Sequence, residues 1–173
     1  FFEELLNTGL IFNNNLNSKI SLKADKFTKN KLFDSVKLYL NINNGRLNLN
    51  DSILISDKIG YVIFNDSEIK QVDGEILFTG NFNFIIKNQY AFYKAFQIPK
   101  SERMQLNKIN FTLEYNMFRD EFKFLNFTIN KDKKNSNTHV EAILNNFNND
   151  KKNKIDNWID LKIFVNQLIE AST

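Results

Sequence analysis

Strict two-residue alternation of apolar and polar side chains begins near the middle of the first third of the chain. Val36, Leu38, Leu40 and Ile42 alternate with Ser35, Lys37, Tyr39 and Asn41, and a period of two puts one set on a single side of a strand, out of water. Asn44-Gly45 follows at once. Both central residues of a type I′ turn need positive φ, so Asn-Gly between alternating runs predicts a two-residue hairpin. Leu47 and Leu49 then alternate with Asn48 and Asn50, and Ile53 and Ile55 continue after a short break.

The arrangement recurs 29 residues on, where Asp73-Gly74-Glu75-Ile76 with Phe78, Phe82 and Phe84 aligns with Asn44-Gly45-Arg46-Leu47 with Leu49, Ile53 and Ile55. Two readings stay open. The segments are either two copies of a turn-plus-strands unit or two hairpins alike by chance, since repeat architectures ordinarily need about three units to close a core.

Further along, Phe92 and Phe96 stand four apart beside Ala91 and Ala95. This predicts a short helix over 89–97, stopped ahead of Pro99 because the residue before proline is driven out of the α region. Ile109, Phe111, Leu113 and Tyr115 alternate again, and Phe122, Phe124, Phe127 and Ile129 follow. The slip between Phe124 and Phe127 predicts a β-bulge near Leu125. Polar connectors at 131–137 and 148–154 flank a predicted short helix over 140–147. From a candidate N-cap at Asp156, Trp158, Leu161, Val165 and Leu168 recur at helical spacing, with Ile159 and Phe164 widening the apolar face. The expected fold is mainly β. Residues 1–130 should form a curved antiparallel sheet, a β-groove or half-barrel of hairpins with one inserted helix, and residues 131–173 should supply amphipathic helices packed on the same domain.

Composition narrows the function classes. A chain of 173 residues with 42% hydrophobic and 25% charged side chains is that of one folded domain. Asn, Lys and Ile are abundant and share adenine- and thymine-rich codons, so no function is read into the asparagines. The 18 phenylalanines inform through their positions. Without cysteine, disulfides and thiol catalysis are excluded. No apolar run reaches the roughly 18 residues of a membrane span, and Phe1-Phe2-Glu3-Glu4 has neither an initiator Met nor a signal-peptide n-region. The chain therefore reads as an excerpt, with any anchor or export signal outside it. The formal charge of +3 is dispersed, and the tightest cluster, Lys131, Lys133 and Lys134 with Lys151, Lys152 and Lys154, sits among linker-type residues. Only three arginines occur and no aromatics interleave those lysines, so a nucleic-acid partner is not expected.

Candidate chemistry is sparse. His139 has no second His and no Cys to complete a metal or nucleophilic site. Asp51, Asp57, Asp66, Glu68 and Asp73 fall near turns, where Asp side chains bond local backbone N–H groups; a paired-carboxylate hydrolase is the enzyme alternative. Phosphate-cradling glycine motifs are absent. Neither catalytic residues nor a cofactor nor a metal is expected. What remains is apolar surface: roughly seven one-sided strands, with helices expected only at 2–6, 90–96 and the C-terminus to cover them. Either the sheet curls and packs on itself or it leaves a groove. The candidate lining is Leu38, Leu40, Leu47, Leu49, Phe82, Phe84, Phe111, Leu113, Phe122 and Phe124, a solvent for acyl chains in which each buried methylene gains about 0.8 kcal/mol.

The hairpin Asn44-Gly45-Arg46-Leu47-Asn48-Leu49-Asn50-Asp51, its Asp73-Gly74-Glu75-Ile76 echo and the stretch Ala91-Phe92-Tyr93-Lys94-Ala95-Phe96-Gln97-Ile98-Pro99-Lys100 resemble the AsmA-like superfamily of Gram-negative envelope proteins. The resemblance runs over 19–130 and more weakly into the C-terminal helix. It implies a periplasmic protein anchored to the inner membrane by a segment outside this chain, with repeated β-units forming a lipid groove. The implied task is phospholipid transport between membranes or outer-membrane biogenesis, and the implied partner is phospholipid or another acyl-chain lipid. The family supplies no catalytic residue. This chain departs from it in showing two repeats, no membrane span and a helical end. The alternative is a structural or assembly module with a fully packed sheet and a partner-docking C-terminal helix.

Overall fold

Alternation over most of the chain produces eight strands, β1 (Ser18–Ala24), β2 (Ser35–Asn43), β3 (Arg46–Asn48), β4 (Ile53–Ser56), β5 (Gly60–Val72), β6 (Glu75–Ile86), β7 (Lys108–Asn116) and β8 (Glu121–Ile129). Three helices accompany them, α1 (Gln89–Phe96), α2 (Thr138–Asn149) and α3 (Trp158–Glu170). The computed structural model describes residues 8–26, 32–130, 137–149, 155 and 157–172. All strands belong to one curved, wholly antiparallel sheet. Its order follows the chain, β1-β2-β3-β5-β6-β7-β8, with β4 sharing the lane of β3 between β2 and β5.

The predicted hairpin is present. Asn44 and Gly45 have φ of 50° and 68°, and Asp73 and Gly74 have 51° and 83°, the paired positive values that let strands of right-handed twist meet across two residues. Gly45 is required for a second reason: a Cβ there would sit 2.7 Å from Asn14 Oδ1 and 2.8 Å from the Phe12 carbonyl oxygen. The predicted bulge is present too. Thr112 pairs with Asn126 and Leu113 with Phe124, so Leu125 is the unpaired extra residue.

Register assigns the side chains to faces, because directly paired residues share a side. Phe84 faces Val62 and Ile109, Phe82 faces Phe64 and Phe111, and Leu40 faces Ile20. One apolar face therefore runs unbroken from β1 to β8. The aligned hairpins keep step only as far as Leu49 and Phe78. Between β3 and β4 the chain leaves the ladder, and it returns with Leu54, not Ile53 or Ile55, paired to Val36 and Val62 on the apolar face. Ile53 and Ile55 fall on the opposite face with Tyr61, Ile63 and Ile85. The strands are thus not uniformly one-sided, and an apolar island marks the second face of β4 to β6.

Ser52 holds the broken lane together. It is fully buried, and its Oγ accepts a hydrogen bond from the Tyr39 N–H at 2.9 Å. That donor lies opposite the gap, where neither β3 nor β4 can serve it. The Leu49 N–H reaches the Ser67 carbonyl and the Phe64 N–H reaches the Ser52 carbonyl. The gap is therefore closed by local substitutes for ladder bonds, as burial of backbone requires.

α1 starts at Asn88, whose side chain accepts from the Ala91 N–H, and ends at Gln97 in the left-handed region at φ 59°. α3 is capped by Asn157, whose Oδ1 accepts from the Ile159 and Asp160 N–H groups. The cap expected at Asp156 belongs one residue later, and Asp156 itself lies outside the described residues, as does the helix expected at 2–6.

Candidate functional site: the apolar face of the sheet

Helices cover one end of the apolar face. Phe92 of α1 is completely buried, Phe96 is 3% exposed, and Leu168 and Ile169 of α3 are 1% and 0% exposed, all in one cluster with Val62, Phe84 and Ile109 of the sheet. Val140, Leu144 and Phe147 bring α2 into the same cluster. Ring packing continues across the elements: Phe84 meets Phe92 edge-on, Phe92 stacks on Phe96, and Phe96 tilts against Trp158. Such geometries follow the ring quadrupole. The helices at the C-terminal end thus belong to the core of the sheet.

The turn end of the face has a different cover. Ile11, in a short 3-10 turn at Leu10–Phe12, packs with Leu40, Ile42, Leu47, Leu49 and Ile69 in a second buried cluster. Between the two clusters lies a band with less cover. Leu38, Phe64, Phe78, Phe111 and Leu113 are all half-buried there, and Phe64 and Phe78 touch both clusters. At its ends the band reaches water through Ile20 and Leu22 on β1, 40% and 48% exposed, and through Phe122 on β8, 43% exposed.

The ten candidate lining residues divide accordingly. Leu38, Phe111, Leu113 and Phe122 belong to the band, Phe124 lies half-buried against Phe147 of α2 and Phe164 of α3, and Leu40, Leu47, Leu49, Phe82 and Phe84 are interior packing. Alternation places a residue on a face but says nothing of what covers that face, so the two sets look alike in sequence. Four members of the band were missed. Ile20 and Leu22 alternate with Lys19, Ser21 and Lys23, and Phe64 and Phe78 obey the same period, so each was open to the same reading.

Two carboxylates of the sheet are tied up in structural pairs. Glu68 takes Lys70 at 2.6 Å and Arg46 at 3.4 Å, and the hydrogen bond from Lys70, followed by the charges of Lys70 and Arg46, holds its carboxyl below the ordinary carboxylate range against partial desolvation. Glu75 joins Arg119 and Asn116 across the sheet, and their hydrogen bonds lower it likewise. Burial raises the Tyr93 phenol, whose hydroxyl donates to the Met104 carbonyl. Asp51, Asp66 and Asp73 sit at φ of 64°, 44° and 51°, the left-handed positions that Asp tolerates in turns, and the Asp57 backbone N–H donates to Asp34 Oδ2. His139 is exposed at the start of α2. Among the described residues, no three His, Cys, Asp or Glu side chains gather as metal ligands, and no helix is long and apolar enough to cross a membrane. A polar hollow of ≈ 560 Å³ opens beside Arg46, Lys70 and the two Gly turns.

Comparison with known proteins returned no matching family model, no matching curated protein and no matching solved structure.

Proposed function

We propose that this chain is a non-enzymatic lipid-binding or lipid-conducting module of a Gram-negative envelope protein, in which acyl chains lie along the open band of the apolar face. The observation that carries the reading is the apolar face itself, continuous from β1 to β8, packed over at both ends and half-buried between them at Leu38, Phe64, Phe78, Phe111 and Leu113, which surround the buried Phe82. Large contiguous apolar patches on a protein surface mark ligand, partner or membrane contacts. An acyl chain needs only such a lane, since its contacts are non-directional and gain about 0.8 kcal/mol per buried methylene. The setting that fits the reading is the periplasm, with anchoring to the inner membrane by another segment, and a role in inter-membrane phospholipid transport or outer-membrane biogenesis.

The test is lipid occupancy. Native mass spectrometry and solvent extraction of the purified protein should recover phospholipid or another acyl-chain lipid. Leu22→Glu and Phe122→Glu, both at exposed ends of the band, should abolish crosslinking to a photoactivatable acyl chain while the fold survives. Lipid-free protein that also fails to take up lipid from vesicles would refute the proposal. A second reading, an assembly module docking a partner through its C-terminal helix, is favoured by Ile159 and Ile163, one turn apart on α3 and 61% and 53% exposed. Under that reading Ile159→Ser with Ile163→Ser removes partner binding and leaves lipid occupancy unchanged.

A further inference from the structure

The two edges of the sheet are finished differently. On β8, the Asn148 side chain of α2 accepts from the Phe124 N–H at 2.9 Å and donates to the Phe124 carbonyl at 2.8 Å. These are the two bonds that a neighbouring strand would make at that position, so a helix residue caps the β8 edge at Phe124. β1 pairs with β2 on one side and, among the described residues, has no backbone partner on the other. An open edge is a template for pairing, which proteins ordinarily blunt or use.

The side chains of β1 state what would fit. Toward the apolar face it shows Ile20 and Leu22, 40% and 48% exposed. Toward the other face it shows Lys19 and Lys23, with Lys23 directly opposite Lys37 of β2. Like charges set across a ladder repel. Lys23 reaches Asp25 at 2.8 Å, whereas Lys19 and Lys37 have no acidic partner among the described residues. A next strand carrying acids on that face and apolar residues on the other would relieve the repulsion and cover Ile20 and Leu22 together. A second copy of β1 would not, because the full-length antiparallel register centred on Ser21 sets Lys19 against Lys23 twice over.

We propose that the β1 edge is a docking site for an added polypeptide strand in which acidic and apolar residues alternate, main-chain hydrogen bonds supplying the pairing and Lys19, Lys23 and Lys37 the selection. This is β-augmentation with a charge code. The test uses three labelled synthetic peptides matched to β1 in length: alternating Glu and Val, alternating Lys and Val, and the Glu-Val peptide N-methylated along one edge. Fluorescence anisotropy should show the Glu-Val peptide binding about tenfold more tightly than the Lys-Val peptide, and N-methylation should abolish binding. Lys19→Glu with Lys23→Glu, both exposed and so compatible with folding, should invert the preference. Hydrogen exchange should slow at β1 amides on binding. Absence of binding, equal affinity for the two charge patterns, indifference to N-methylation, or a sedimenting dimer that occupies β1 would each overturn it.

Discussion

Replacing Ser52 by alanine removes one oxygen and tests how the broken lane of the sheet is held. The substitution leaves the backbone bonds of residue 52 in place, with its N–H on the Leu49 carbonyl at 3.2 Å and its carbonyl accepting from the Phe64 N–H at 2.9 Å. What disappears is the acceptor for the Tyr39 N–H at 2.9 Å and a longer donation to the Tyr39 carbonyl at 3.5 Å. Ser52 is 0% exposed, so water cannot take over without opening the sheet. A buried donor left unpaired costs about 1–3 kcal/mol. For a domain of this size each kcal/mol lowers Tm by about 2–4 °C, so the expected drop is about 2–12 °C. Ser67→Ala is the control. Ser67 is equally buried, but its hydroxyl donates only within its own strand, to the Asn65 carbonyl at 3.0 Å, and its loss should cost at most about 1 kcal/mol. Urea unfolding followed by far-ultraviolet circular dichroism gives the two stabilities, and amide exchange at Tyr39 reports the freed donor. If Ser52→Ala is no less stable than Ser67→Ala and the Tyr39 amide stays protected, the hydroxyl is not bridging the gap.

Other outcomes follow from the same packing. Phe92→Ala, at a position with no exposure, should cost about 3–5 kcal/mol in denaturant unfolding, whereas Phe118→Ala, 77% exposed on the last turn, should change stability by less than about 0.5 kcal/mol; comparable losses would contradict the core assignment. Asn148→Ala should cost about 1–2 kcal/mol for two hydrogen bonds and accelerate exchange of the Phe124 amide, and an unchanged Phe124 rate would show that the edge is closed by something else. Glu68 and Glu75 are both held below the usual carboxylate range by their basic and amide partners. Folding thus favours their charged forms, a contribution present above the unfolded pKa of about 4.3 and lost as pH falls through the lower folded values. Carbon-detected NMR titration should put both midpoints below that reference, and a midpoint at or above it would contradict the pairing.

Much of this architecture is legible in the sequence because it depends on local geometry. A period of two, an Asn-Gly turn and a Phe-to-Phe slip at Leu125 specify strand, hairpin and bulge wherever they occur. The Phe92 and Phe96 pair and the spacing from Trp158 specify helices in the same way. The unread parts depend on partners distant in the chain. Nothing near Ser52 in sequence announces that its hydroxyl will serve Tyr39, 13 residues back, and Asn148, in what reads as a polar connector, meets Phe124 24 residues away. The candidate site suffered from the same limit. Leu47, 1% exposed, and Phe122, 43% exposed, obey one alternation rule, and only the placement of Ile11 and the helices separates them.

Neighbouring lanes of this sheet are also neighbours in the chain, and that order has a kinetic meaning. From β2 to β6 and again from β7 to β8, each new strand can zip onto one already formed by closing a short turn, which keeps the entropic cost of those steps small, and only the α1-containing connection from β6 to β7 is long. Assembly can therefore keep pace with synthesis from the N-terminal side, without waiting for a distant segment to arrive. The hazard of such growth is that every intermediate ends in a raw, sticky strand exposed to other nascent chains. Among the described residues α2 is the next helix after β8, and its Asn148 occupies the backbone groups of Phe124 at the middle of that last strand.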